Sequence, residues 1–290
     1  MVIRDGLSAT IFAGVLFGTT VPLIKLGLDL GIPPNLFVEL RFAIASAVII
    51  LVLRGAGWVR WSLFRSRQIW IIGFVNAAGY VTQFQGQNLV SASNAALIIS
   101  TAALMIPVMS LVQFHEKLGW RKIVGVSAGF VGTILVVTRG QGLQLASSEL
   151  IGDILILATA VTIALFFILS KGLVEKNGGR PVTGGMVIMT SLMILPSVPF
   201  DQNLSLNFPA EAWLAVVLLA IPATVGSYYL LMKGLESVSA TISSIILPIE
   251  VIVAVALSVI LFSDPFNLYS GTGAALIVAG VILVSTAAGM

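Results

Sequence analysis

The chain has 290 residues, 58% of them hydrophobic and only 9% charged, with a net charge of +3 and a mean hydropathy of +1.08. A soluble domain carries about 25% charged residues to keep its surface hydrated, so 15 basic and 12 acidic side chains exclude a soluble enzyme, a disordered chain and a nucleic-acid-binding protein. With no cysteine and one histidine, His115, they also leave no disulfide, no thiolate metal site and no histidine cluster.

An integral membrane protein remains. A spanning helix needs about 20 apolar residues, and the apolar runs here lack the period-two alternation of a barrel strand. The pattern predicts ten spans: 7–28, 35–54, 69–88, 92–114, 121–138, 150–171, 182–200, 211–232, 238–262 and 268–288. The first carries Lys25 near its outer end and runs into Asp29 with no small-residue cleavage site after it, so it reads as a retained helix. Lys25 either holds a substrate carboxylate or snorkels to the headgroups. The second span carries Glu39 and Arg41, two apart and so on different faces; Arg41 reads as a structural anchor or gate partner.

The third span is the most polar. Asn76, Tyr80, Gln83 and Gln87 follow one another at i, i+4, i+7 and i+11, a single helical stripe that must face other helices or a water-filled cavity. Interhelical hydrogen bonding and cavity lining both satisfy it. The fourth span offers Asn94, Ser100 and Thr101 as secondary cavity residues, and His115-Glu116-Lys117 closes it at the interface. The eighth holds Thr224 and Tyr228. The ninth carries Glu250 about halfway along, on a face shared with Ser239, Ser243 and Ile246 and two residues after Pro248. An ionised carboxylate at that depth is costly unless paired or hydrated. It is either a ligand for a substrate ammonium or proton, or a protonated structural group bonded to its serines.

Twelve of the fifteen basic residues fall in segments that lie on one side if the N-terminus is cytoplasmic, with the run Arg54, Arg60, Arg65 and Arg67 the densest. The positive-inside rule then places both termini in the cytoplasm. Trp58, Trp61, Trp70, Trp120 and Trp213 lie at or near predicted span ends, as an interfacial aromatic belt does.

The chain also matches itself at an offset of 148. Ser91-Ala92-Ser93 meets Ser239-Ala240-Thr241, Ile98 meets Ile246, Glu116 meets Asp264, Gly125 and Gly132 meet Gly273 and Gly280, and Tyr80 meets Tyr228. Five spans per repeat is odd, so residues 1–140 and 141–290 are expected to form inverted five-helix halves of one structural unit. Such repeats build alternating-access carriers with the substrate near the midplane. Tyr80 and Tyr228, paired across the pseudo-twofold axis, either sandwich a flat or cationic group or pack. Glycines seven apart, such as Gly125 and Gly132, read as close-packing positions.

The stretch Gly18-Thr19-Thr20-Val21-Pro22-Leu23-Ile24-Lys25 resembles the first-helix motif of the drug/metabolite transporter superfamily, EamA-type branch. Arg41-Phe42 resembles its second-helix arginine, and the segments 91–118 and 247–265, with the glycine pairs that follow them, resemble its repeated signature. Phe17 stands where the family often has Trp, and Ala103 and Val251 where it usually has Pro, so Pro107 and Pro248 are the expected helix breaks instead. The resemblance spans the whole chain and implies an inner- or plasma-membrane transporter of prokaryotic type.

The expectation is thus an all-α ten-helix carrier for a small polar solute, with no cofactor and no enzymatic activity. Opposite candidate charges, Glu250 for an amine and Lys25 for a carboxylate, around Tyr80, Tyr228, Asn76, Gln83, Gln87, Asn94 and Ser243 point to a zwitterion such as an amino acid, and the resemblance implies export. Proton-coupled efflux of organic cations is the alternative within transport; a receptor or membrane-embedded enzyme is the alternative outside it. No P-loop, metal-ligand spacing or serine triad is present. The partners expected are the solute and the bilayer, with protons a candidate coupling ion; a monomer is compatible.

Overall fold

The computed structural model describes residues 2–106, 109, 119–138, 147–202, 204–237, 246–263 and 267–287. Among these residues helices fall within each predicted span, while 107–108 and 110–114 of the fourth span and 238–245 of the ninth lie outside the described residues. In chain order they are α1 (Val2–Gly18), α2 (Thr20–Asp29), α3 (Pro34–Val48), α4 (Arg67–Gln87), α5 (Ala92–Ile99), α6 (Trp120–Thr138), α7 (Ser148–Asn177), α8 (Gly179–Ile194), α9 (Ala210–Ala220), α10 (Ser227–Ser237), α11 (Ile246–Phe262) and α12 (Leu268–Ala287). No strand occurs among the described residues.

Local chemistry sets the boundaries. Ser66, Ser91 and Ser147 cap α4, α5 and α7, each side-chain oxygen accepting from the N–H of a residue in the first turn. Pro33 and Pro34 start α3, where a missing N–H costs nothing. Gly178, at φ 83°, turns the chain directly from α7 into α8, a backbone conformation that glycine adopts without strain.

Five stretches among the described residues are long and apolar enough to cross a membrane: Ile11–Asp29, Pro34–Ala56, Ser148–Asn177, Gly179–Phe200 and Ala210–Leu231. Shorter apolar helices cover Ala92–Ile106, Ile123–Val136, Ile249–Phe262 and Leu268–Leu283. The α4 helix, 21 residues long, is not among the apolar stretches because of the amides on its buried side. Phe12, Leu51, Phe74, Ile134, Ile154, Leu214 and Ile260 are exposed, and in lipid such side chains are solvated rather than stranded. The protein is therefore an integral membrane protein. Trp61, Trp70 and Trp120 are exposed as a belt requires, whereas Trp58 is buried against Tyr229, ring centroids 5.3 Å apart, and belongs to the core.

The helices bury two apolar cores. One collects Ile24, Phe37, Phe42, Ile69, Phe84, Met186 and Leu219 from α2, α3, α4, α8 and α9. The other collects Leu97, Ile98, Leu104, Val136, Ala254 and Ile277 from the α5 region, α6, α11 and α12. Each core draws on both halves of the chain. The helix pairings are α4 with α7 and α8, α1 with α10 and α11, α3 with α8 and α9, α5 with α7 and α11, and α6 with α12. The last pair closes on its glycines: a Cβ on Gly132 would lie 2.6 Å from the Gly273 carbonyl oxygen, and one on Gly280 2.5 Å from that of Gly125.

Candidate functional site

Two helix irregularities shape the centre of the molecule. Between α1 and α2 the helix breaks at Thr19, whose hydroxyl donates to the Leu16 carbonyl at 2.7 Å; Thr20 starts α2, and its buried hydroxyl has no partner among the described residues. Between α9 and α10 a π-turn runs from Ile221 to Gly226. Pro222 lacks the N–H that would continue the α-ladder, and the Thr224 hydroxyl reaches back five residues to the Leu219 carbonyl at 2.7 Å. Wide turns of this kind are frequent at functional sites.

Between the two cores lies a cavity of ≈ 80 Å³ lined from the α1/α2 break, α4, the α5 region, α7, α10 and α11. A water molecule's share of liquid is about 30 Å³, so the space suits a few waters or a small solute group. Its wall is largely apolar and aromatic, with Phe17, Tyr80, Phe166, Phe167 and Tyr228, and its polar groups are Thr20, Asn76, Gln83, Ser100, Thr159, Thr162 and Glu250. Among the described residues, Glu250 is the only acidic side chain of this lining and no basic side chain belongs to it. The glycine Gly18 brings α1 against the Glu250 backbone: a Cβ there would sit 2.9 Å from the Glu250 carbonyl oxygen. Such an arrangement can hold a cationic or amine group against a carboxylate, with aromatic faces around an apolar body. Among the described residues no His, Cys, Asp and Glu cluster is arranged to hold a metal ion.

The two tyrosines meet directly. Their hydroxyls are 3.1 Å apart, so their rings do not flank an open slot; each packs elsewhere, Tyr80 edge-on to Phe42 at 4.8 Å and Tyr228 edge-on to Phe17 at 5.2 Å. Behind Tyr80 stands Arg41, fully buried. Its Nε donates to Thr224 Oγ1 at 2.7 Å, its Nη2 makes a long 3.5 Å contact to the Tyr80 hydroxyl, and its guanidinium lies 4.6 Å from the Tyr80 ring centre. Glu39 faces away from it and accepts from Ser191 Oγ at 2.7 Å.

Of the residues expected at the site, Asn76, Tyr80, Gln83, Ser100, Tyr228 and Glu250 share the cavity, and Thr101 does not line it. Asn76 is also tied to α8, donating to Thr190 at 3.0 Å. Gln87, one turn beyond Gln83, is buried outside the lining, and among the described residues neither of its amide atoms has a partner. Asn94 is buried at the first turn of α5 and does not line the cavity. Lys25 lies away from it, ion-paired with Asp29 at 3.0 Å along one helix face. Ser243, Ser239, Asp264, Pro107 and the His115-Glu116-Lys117 cluster lie outside the described residues. Thr20, Thr159, Thr162 and the phenylalanines of α7 enter the lining unanticipated. The signal for α7 was present as Thr159, Thr162 and Phe166 at i, i+3 and i+7, diluted in a 30-residue apolar helix.

Residues 5–138 and 150–286 each match the EamA-like transporter family. The uncharacterized transporter YyaM of Bacillus subtilis is 24% identical over 253 residues, which is 84% of this chain and 82% of that protein. A probable terminal-alkyne amino-acid exporter of Streptantibioticus cattleyicolor is 24% identical over 96% of this chain and 92% of its own. A solved crystal structure with 21% identity superposes with a TM-score of 0.67, covering 96% of this chain and 99% of that one, a likeness of fold.

Proposed function

The chain belongs to the EamA-like transporter family, and from that premise we propose that it carries a small amine-bearing organic solute, amino acids and related zwitterions first, through the central cavity by alternating access. The observation that carries this reading is Glu250, among the described residues the only carboxylate lining a cavity of aromatic and aliphatic side chains, hydroxyls and amides. A carboxylate there binds an ammonium by charge and hydrogen bond, and the phenylalanines and tyrosines solvate the rest of the solute.

Two inverted halves, 1–140 and 141–290, supply the moving parts in this reading. Support comes from the helix pairings: shifted by one half, α4 with α7 becomes α10 with α1, α5 with α7 becomes α11 with α1, and α4 with α8 becomes the α9 segment with α3. The termini are cytoplasmic on the basic-residue asymmetry, in the inner membrane of a prokaryotic-type cell. Outward transport of amino acids accords with what one relative's name says of that protein. Proton-coupled efflux of organic cations is the second reading, favoured by the same carboxylate and by the absence, among the described residues, of a basic side chain from the lining.

Counterflow in proteoliposomes tests it, with labelled amino acids and one organic cation, wild type beside Glu250→Gln. Amino-acid exchange abolished by Glu250→Gln is the expected result. Exchange of the cation alone, driven by a pH gradient, replaces the first reading with the second, and exchange indifferent to Glu250→Gln removes Glu250 from the site.

A further inference from the structure

We propose that Arg41, acting through the Tyr80 hydroxyl, makes the cavity select solutes that carry a carboxylate; this rests on the reading of the cavity as an amine-binding transport site and adds its second pole.

Arg41 is seven residues into α3, about 10 Å along the helix at 1.5 Å per residue, and no part of it is exposed. Among the described residues no carboxylate lies within ion-pairing distance of it, and its Nη1 has no hydrogen-bond partner. A guanidinium at membrane depth facing neutral groups alone is costly, and such residues persist where they meet an anion or line a pathway. The side chain is held rather than loose. Thr224, presented by the π-turn, fixes Nε at 2.7 Å, and the Tyr80 ring lies under the guanidinium.

Donor arithmetic points the effect into the cavity. Arginine has only donors, so at the 3.5 Å contact the Tyr80 oxygen accepts from Arg41. The tyrosine's own proton is then left to donate elsewhere, and the Tyr228 hydroxyl stands 3.1 Å away. A cation behind a hydroxyl oxygen makes that hydroxyl a stronger donor. A carboxylate entering the cavity is a better acceptor than a phenol, and it displaces Tyr228 from Tyr80 while gaining attraction from Arg41. Glu250, on α11, takes the ammonium. An organic cation without a carboxylate gains nothing at Arg41 and is repelled by it. The cavity's missing positive pole is therefore Arg41, one side chain behind the wall, and not Lys25, which is neutralised by Asp29.

The test is counterflow of phenylalanine and phenethylamine, which differ only in the carboxylate, by wild type, Tyr80→Phe and Arg41→Lys in proteoliposomes. Wild type is expected to prefer the amino acid on the order of tenfold or more, the range for a hydrogen bond to a charged group. Tyr80→Phe, which keeps the ring, is expected to collapse that preference by lowering amino-acid exchange several-fold more than amine exchange, and Arg41→Lys to lower it as well. A preference unchanged in both variants overturns the proposal, as does equal loss of both solutes from a Tyr80→Phe protein that elutes and melts like wild type. If Arg41→Lys does not fold, Tyr80→Phe decides alone. Exchange of the amine alone by wild type overturns this inference and keeps the cavity as an amine-binding transport site, in its second reading; exchange of neither overturns both.

Discussion

The hydroxyls of Tyr80 and Tyr228 lie 3.1 Å apart although the residues stand 148 positions apart in the chain. That separation is the offset at which the two halves match in sequence, and two residues exchanged by a twofold rotation touch only beside its axis. Under the proposed inverted repeat, the tyrosine pair marks the axis, and the carrier's central cavity opens beside it.

Removing either hydroxyl breaks the same bond, so the costs of Tyr80→Phe and Tyr228→Phe are expected not to add. Each single variant loses about 0.5–1.5 kcal/mol, with Tyr80→Phe the larger because it also loses the Arg41 contact. The coupling energy expected from a double-mutant cycle is about 0.6 kcal/mol, typical of interhelical hydrogen bonds in membrane proteins. Unfolding in detergent reads it, and strictly additive costs contradict the pair.

The glycine seam between α6 and α12 tolerates no side chain. Gly132→Ala and Gly280→Ala each place a methyl group against a carbonyl oxygen of the facing helix, 2.6 and 2.5 Å away before relaxation. Overpacking of this kind costs about 1–3 kcal/mol. Gly55→Ala, with nothing within 4 Å of the added carbon, is the control and stays within about 0.5 kcal/mol. Thermal melts of the three variants order them, and equal melting temperatures contradict the close approach.

Lys25→Gln leaves amino-acid exchange within about twofold of wild type, because the lysine is occupied by an i,i+4 pair with Asp29 whose worth is only about 0.3–0.5 kcal/mol. Asp29→Asn behaves alike. A Lys25→Gln protein that loses selectivity for the carboxylate restores Lys25 as the positive pole of the site.

Asp201, just past the end of the Gly179–Phe200 span, accepts from the Leu36 N–H at 2.7 Å and ties that loop to the start of α3. Burial raises its pKa above the ordinary 3.8, against hydrogen bonds from Leu36 and Asn35 that lower it. A raised pKa means the folded protein holds this proton more tightly than the unfolded chain. Its contribution to stability is therefore fully present below the unfolded value and is lost as pH rises through the folded one. Relative to wild type, Asp201→Asn removes that loss. Melting temperatures measured from pH 3 upward, a range set about the unperturbed carboxylate value, are expected to diverge between the two proteins as pH climbs above about 4, with wild type falling relative to the variant. Parallel curves contradict it.

The amino-acid sequence by itself determined the solvent and the elements. Hydropathy has a period and a length that lipid reads directly, so a helix was legible at 69–88, where the structure has α4 at 67–87, even with Asn76, Gln83 and Gln87 in it, once its partner segment at Tyr228 was seen to be apolar. The same one-dimensional signal exposed Glu250, because a carboxylate in an apolar run is conspicuous without any knowledge of its neighbours, and it picked out the tyrosine pair through the repeat. Tertiary structure decided which polar groups meet. Lys25 and Arg41 are both cations inside apolar helices; the partner of Lys25, an aspartate four residues on, stands in the spacing itself, whereas Arg41 finds Thr224 and Tyr80 on two other helical segments, 183 and 39 positions away. Gln87 continues the stripe of Gln83 by one turn yet falls outside the cavity, since a helical face is straight and a cavity between crossing helices is not. The π-turn at 221–226 was hidden for the same reason: Pro222 announces a missing hydrogen bond, and only the packed helices fix where the freed backbone and Thr224 turn. Periodicity and cost of burial are properties of a residue and its near neighbours in sequence, while the pairing of charges across helices depends on how those helices cross.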